Sequence, residues 1–265
     1  MADALVRVER TGGVVRATVD HPPVNLLDVG LITELAQVVS QLEQDGTVKA
    51  FVLDSAVDGF FLAHADVLMI KAMPVQRHDK RAELNFFHHL TQRIRDLPML
   101  TVAVVEGFAR GGGCELAMNF DCRFAALETA VFGQPEVALG IIPGGSGTVR
   151  LPQLVGRSRA LELILGCDDA DAELAERWGL VNRALPAAEL RPFVDRLVAR
   201  VDAFPLAAVR AAKAAVAAGD LLSEADQFNL AWSTGEGVGR IDAFLAAGGQ
   251  TVAGESSLQE IVAEL

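Results

Sequence analysis

Long apolar runs, basic clusters and paired cysteines are all missing from this chain of 265 residues. No uncharged stretch reaches the roughly 18 apolar residues needed to cross a bilayer, so no spanning helix is expected. The opening "MADALVRVERTGG" has early acids and no apolar h-region, and so does not read as a signal peptide. Lys and Arg number 23 against 35 Asp and Glu, a formal net charge of −12, and no basic run exceeds two residues. That balance argues against nucleic acid or an anionic membrane as partner. Cys114, Cys122 and Cys167 make an odd count without C-x-x-C spacing. Neither a disulfide framework nor a zinc knuckle is indicated, and a soluble protein in a reducing cytoplasm is the simplest expectation. Fixed-period repeats and low-complexity linkers are absent as well.

What is present is a core former: 51% of residues are hydrophobic and 22% charged, enough for one large domain or a domain with an appendage. "ALVRVERTGGVVRATVD" reads as two strands around a Gly-Gly turn. Leu31, Leu35, Val38, Val39 and Leu42 recur at helical spacing, and "VKAFVLDS" and "MLTVAVVEG" are short buried strands. Residues 82 to 97 read as an amphipathic helix with Leu84, Phe87, Leu90, Ile94 and Leu97 on one stripe. "CRFAALETAVFG" gives two short strands. "GSGTVRLPQLVG" looks helical with Pro152 interrupting it, and Gly179 stops a further helix. The stretch from Glu189 to Ala217 is Ala-rich and helical, Ser223 to Trp232 resumes that character, and a short helix is expected around Ile241 to Ala246. Strands alternate with helices to about residue 185, which predicts an α/β core with a helical C-terminal extension.

Chemistry concentrates in three stretches. In "VVEGFARGGGCELAMNF" a strand ends near Gly107, the chain turns through Gly111, Gly112 and Gly113, and an apolar helix begins with Glu115 in its first turn. Glycine lets backbone approach a ligand, and the first N–H groups of a helix lack intrahelical partners. Such an N–H suits a developing negative charge, although the glycines alone fit a tight packed turn equally well. An acid in a first turn is ordinarily structural, yet Glu115 is followed by Leu116, Ala117, Met118 and Phe120. Glu136 repeats the pattern in "FGQPEVALGIIPGG", with Pro135 expected at the first helical position. Two acids in apolar settings beside oriented N–H groups suggest general acid–base work with separated pKa values. In "GFFLAHADVLMI" the small residues Ala63 and Ala65 precede a helix opening at Asp66, a place for a second backbone donor. "GGSGT" has no following lysine and reads as a turn and helix start, not a phosphate loop, and it is not G-x-S-x-G. His88 and His89 are adjacent and point to different helix sides, so no metal pair is expected.

Taken together, "VEGFARGGGCELAMNFD", "AVFGQPEVALGIIPGGSGTVRLPQLVG" and "AERWGLVNRALP" closely resemble the crotonase superfamily, the enoyl-CoA hydratase/isomerase family. The resemblance runs from the N-terminal strands to about residue 187, with a weaker match through the helical tail. It implies a spiral of β-β-α turns over residues 1–190 that binds acyl-CoA, followed by a helical oligomerisation region over 191–265 that builds a homotrimer or hexamer. By motif position it implies a thioester oxygen held by the Ala65 and Gly112 N–H groups. Glu115 then activates water, Glu136 delivers a proton to the α-carbon, and Ala63, Asp66, Val67, Leu68 and Leu139 join Ala65 and Gly112 around the substrate. The implied reaction is hydration of a 2-enoyl-CoA. Isomerisation, thioester hydrolysis or a non-catalytic assembly role are the alternatives. No metal is implied, and no cofactor beyond the coenzyme A carried by the substrate.

Two departures from the family pattern set further expectations. His64 stands where the family usually has glycine, so a positive φ there would strain the turn. The basic residue that relatives carry before the early Asn, and a lysine near the C-terminus, are missing from "HPPVN" and "AFLAAGGQTVAGE". Lys71, Arg77, Lys80 and Arg81 are the nearest cations in sequence for the CoA phosphates.

Overall fold

The computed structural model describes residues 4–75 and 83–265. β1 (Val6–Thr11) and β2 (Val14–Val19) form a hairpin with Val6 opposite Val19. α1 (Val29–Gln44) starts where the Asp28 carboxylate accepts from the Leu31 N–H, satisfying a donor that the helix cannot. β3 (Ala50–Ser55) leads to β4 (Phe60–Leu62), then α2 (Val67–Lys71) and α3 (Phe86–Asp96). β5 (Leu100–Val105), β6 (Phe108–Arg110) and α4 (Gly112–Ala117) repeat the step. So do β7 (Cys122–Ala126), β8 (Val131–Gly133) and a 3-10 turn at Glu136–Leu139, followed by α5 (Gly147–Val155) and α6 (Arg157–Gly166). β9 (Ala170–Asp171), α7 (Ala172–Trp178) and β10 (Arg183–Leu185) close the core, and α8 (Ala187–Ala203) covers it. α9 (Leu206–Ala218), α10 (Leu221–Trp232), α11 (Glu236–Ala246), α12 (Val252–Ser256) and α13 (Leu258–Glu264) follow.

The strands sort into two sheets, ordered β1-β2-β3-β5-β7-β10 and β4-β6-β8-β9. Each turn of chain lays one strand in the larger sheet, the next in the smaller, and returns through helix. This is the expected spiral of β-β-α turns. Beyond the first hairpin the larger sheet is parallel, and its strands are near-continuous apolar runs because both faces are covered. Alternation then splits them. Phe51, Leu53, Ala103, Val105 and Ala125 face a core shared with the smaller sheet and α1. Ala50, Val52, Val102, Val104, Phe124 and Ala126 face Leu190, Val194 and Val198 of α8. The 190/191 boundary drawn from the sequence therefore falls inside a helix that packs on the sheet. Asp54, fully buried, ties the two together by accepting from Arg16 and from Arg191 of α8, both at 2.8 Å.

Several local readings need correction. The helix expected from residue 82 begins at Phe86, because Asn85 and His88 form a reciprocal cap there, and Leu84 is left outside it and exposed. Pro152 does not interrupt its helix: α5 runs through it, held by buried Leu151 and Val155, so packing outweighs the lost hydrogen bond. The helix expected over Glu189–Ala217 is two helices, broken at Phe204 because the residue before Pro205 is driven to an extended conformation. Pro135 precedes a short 3-10 turn instead of opening an α-helix. No helix among the described residues is long and apolar enough to cross a membrane.

Candidate functional site

Three chain connections converge on one cavity. The first is the entry to α4. Gly111 has φ 46° and ψ −123°, a backbone shape that L-residues rarely adopt, and a Cβ there would lie 2.6 Å from Oε1 of Glu136. The whole of α4 is buried, and its Glu115 is only 3% exposed. The second connection is the turn between β4 and α2. Leu27 bridges to it in parallel fashion: its N–H donates to the His64 carbonyl at 3.0 Å, and its carbonyl accepts from the Asp66 N–H at 2.9 Å. That pairing uses both neighbours of Ala65 and turns the Ala65 N–H the other way, towards α4. A Cβ built on Gly112 would sit 3.3 Å from the Ala65 nitrogen, so these peptide groups are neighbours. Neither N–H finds a hydrogen-bond acceptor among the described residues.

The third connection runs from β8 through the 3-10 turn to α5. It brings Glu136 to the cavity and then doubles back over Glu115. The Gly145 and Gly147 N–H groups both donate to Oε1 of Glu115, at 2.8 and 2.7 Å. The "GGSGT" segment is the turn and helix start that the sequence suggests, with α5 opening at Gly147, and it also clamps Glu115, which its sequence does not announce. The local trace is the flanking glycines, which allow close approach: a Cβ on Gly145 would overlap the Phe87 ring and lie 2.7 Å from Oε2 of Glu115.

Burial pushes the Glu115 carboxyl up to about 7. The Gly147 and Gly145 N–H groups pull the other way, and the Glu136 charge adds to the rise. Glu136 is half-buried and is also raised, chiefly by desolvation, with His64 nearby opposing the shift. Its Oε2 is buried without a hydrogen-bond partner. The cavity holds about 600 Å³ and takes in Ala65, Gly112, Glu115 and Glu136 on one side, with apolar walls from Ile32, Met69, Phe87 and Ile142. Such a space suits an apolar ligand carrying one polar group for the convergent donors.

Of the other residues drawn from the sequence, Ala63 is buried behind the turn, where its carbonyl accepts from the Arg110 N–H. Asp66 caps α2 by accepting from Leu68 at 2.8 Å. Val67, Leu68 and Leu139 are exposed and outside the cavity wall, Leu139 by 63%. The cavity instead takes Leu27 and Val29 from α1 and its approach, and Ile70 and Met73 from α2 and the residues after it. Those contacts are long-range and carry no local motif. His64 does not take a positive φ, so the strain expected there is absent. Its Nδ1 donates to the Ala65 carbonyl at 2.9 Å. Lys71 is exposed at the end of α2, while Arg77, Lys80 and Arg81 lie outside the described residues. No group of three or more potential metal ligands occurs among the described residues.

Residues 9–233 match the family described as enoyl-CoA hydratase/isomerase. A crotonyl-CoA hydratase of Syntrophomonas wolfei is 36% identical over 228 residues, covering 83% of this chain and 86% of that one. A short-chain-enoyl-CoA hydratase of Clostridium acetobutylicum is 34% identical over 248 residues, covering 91% and 94%. Among solved structures, an enoyl-CoA hydratase from Bacillus anthracis is 29% identical with a TM-score of 0.79, covering 92% of this chain and 95% of that one.

Proposed function

Because the chain belongs to the enoyl-CoA hydratase/isomerase family of the crotonase superfamily, we propose that it adds water across the 2,3 double bond of a 2-enoyl-CoA, giving a 3-hydroxyacyl-CoA. The observation that carries this reading is the meeting of two carboxyl groups and two unpaired backbone N–H groups at one mostly apolar cavity. The thioester oxygen sits between the Ala65 and Gly112 N–H groups, which stabilise it as charge develops. Glu115, with Oε1 fixed by two donors, keeps Oε2 as the base that takes a proton from water. The hydroxide equivalent bonds to C3, the π electrons move to C2 and the thioester oxygen, and protonated Glu136 delivers its proton to C2. Both carboxyls are raised by burial and face one cavity, so they titrate as a coupled pair that shares a proton, and the form with Glu115 ionised and Glu136 protonated is the one that carries hydration. No cofactor enters the scheme, since coenzyme A is part of the substrate.

In this reading residues 1–190, together with the rest of α8 that packs on the sheet, form the acyl-CoA-binding unit, and the helices after α8 within 191–265 serve assembly into a homotrimer or a hexamer. The test is the absorbance of the conjugated enoyl thioester on adding protein, across enoyl-CoA substrates of increasing chain length. Loss of absorbance with gain of one water in the product's mass is the expected result. Movement of the double bond without water uptake, or release of free CoA thiol, would assign one of the other reactions of this superfamily instead.

A further inference from the structure

Ser146 sits between the two N–H groups that hold Glu115, and its backbone is strained. Its φ of 109° and ψ of −4° lie outside the small left-handed region open to L-residues, whereas Asn25, Cys167 and Gln250, with φ of 53° to 65°, lie within or beside it. Glycine would take that shape at no steric cost, so a serine persists there only where its surroundings over-determine it. The surroundings are specific. Nδ2 of Asn119 donates to Oγ of Ser146 at 2.8 Å and to the Glu115 carbonyl at 2.7 Å. Oδ1 of Asn119 accepts from Nε of Arg150 at 3.1 Å, and Arg150 donates onward to Oε1 of Gln92 at 2.7 Å. Arginine can only donate, which fixes which end of the Asn119 amide is oxygen. Asn119 is 1% exposed, with both ends of its amide engaged. It therefore links the main chain of Glu115 to the one strained residue of the loop that clamps the Glu115 side chain.

We propose that Asn119 and Ser146 are positioning residues, whose hydrogen bond holds the Gly145–Gly147 loop in the shape that aims two N–H groups at Glu115 and so sets the charge state of that carboxyl. The inference builds on the reading of Glu115 as the water-activating base. Rotation of residue 146 to a relaxed angle would turn the neighbouring N–H groups away and break the contact to Asn119 together. Other charged or titratable groups near Glu115 are Glu136 on the 3-10 turn, Cys114 beside it on α4, and Arg150 on α5 through Asn119, while Arg110 on β6 is paired with Asp169. His88 on α3 faces the Asn85 N–H, and β4 brings none.

The test is a titration of the Glu115 carboxyl by infrared difference spectroscopy without substrate, with Glu115→Gln identifying its band, alongside the pH profile of kcat/KM. Ser146→Ala keeps the strain and removes the hydroxyl. Asn119→Ala breaks the same contact from the other side and serves if Ser146→Ala does not fold. Both are expected to raise the Glu115 midpoint by roughly one unit or more, because lost N–H donors disfavour the anion. Both should move the acidic limb of kcat/KM with it, and lower kcat more than they raise KM. Ser146→Gly takes the backbone angle without strain, so it should recover most of the shift, and adding Asn119→Ala to it should then cost little more. A wild-type midpoint in both alanine variants overturns the proposal, as does a Ser146→Gly shift as large as that of Ser146→Ala. If the protein hydrates no enoyl-CoA, the functional reading fails by the absorbance assay while the infrared titration still decides this inference.

Discussion

The Gly147 N–H lies 2.7 Å from Oε1 of Glu115, a contact across 32 residues of sequence. It commits one carboxyl oxygen to the backbone and leaves Oε2 for chemistry. Glu115→Gln keeps an oxygen for the clamp but removes the base, and Glu136→Gln removes the proton donor. Each should lower kcat/KM by at least ~10²-fold, the lower bound usual for a positioned acid or base. Steady-state kinetics on a short 2-enoyl-CoA checks this. A variant retaining nearly full rate would strip that glutamate of its role.

The raised Glu115 carboxyl also makes a stability statement. Its value in the fold, about 7, lies above the ordinary 4.5. The folded state therefore holds the proton longer than the unfolded chain, and stability falls as pH rises from about 4.5 to about 7, then levels off. At roughly 1.4 kcal/mol per pKa unit the loss is on the order of 3–4 kcal/mol. Glu115→Gln escapes it, so at fixed protein concentration the variant should gain several degrees in Tm over wild type at pH 8 and far less at pH 5. Equal differences at both pH values would contradict the buried, proton-holding state.

Much of the fold was legible because its causes are local. The short apolar runs in "AFVLDS" and "LTVAVV" mark strands covered on both faces, and Gly179 marks a helix end where the structure has it. The split of β5 from β6, and of β7 from β8, into different sheets was not legible, since a strand's own pattern does not name its neighbour. Glu115 and Glu136 stood out as acids in apolar runs, and the structure brings both to one cavity. The clamp at Gly145 and Gly147, the wall at Phe87 and the tie from Asn119 arise only when distant segments meet, and so leave at most a glycine as a local trace.

The phosphates of CoA need local cations, because a net charge of −12 offers no long-range attraction. Lys71 ends α2, the helix whose Met69 and Ile70 wall the cavity, and it is exposed with no ion pair among the described residues. A charge-assisted contact is worth about 1.5–3 kcal/mol. Lys71→Ala should then raise KM for an enoyl-CoA about tenfold with little change in kcat, because remote binding acts alike on ground and transition states. The handicap should vanish on a pantetheine thioester, which lacks the nucleotide phosphates. An unchanged KM for the CoA substrate would remove Lys71 from the binding surface.

The helices after α8 carry large apolar side chains that this chain leaves in solvent. Leu221 and Leu222 are each 81% exposed and Phe228 is 67% exposed, all on α10, while Val216 of α9 and Val252 of α12 are more exposed still. Phe228 and Trp232 stack in parallel beside an apolar groove between α9 and α10. Clusters of this kind on a monomer cost hydration that association recovers. Sedimentation at micromolar concentration should accordingly give a mass near three or six times the 28.1 kDa of the chain. Leu222→Asp combined with Phe228→Asp should shift the distribution to smaller species, since charges forced into a buried contact must be desolvated without a partner. Both residues are far from burial in the core of their own chain, so far-UV circular dichroism should stay unchanged. A wild-type protein that sediments as a stable monomer would show that these side chains are tolerated in water, and would remove assembly from the role of residues 191–265.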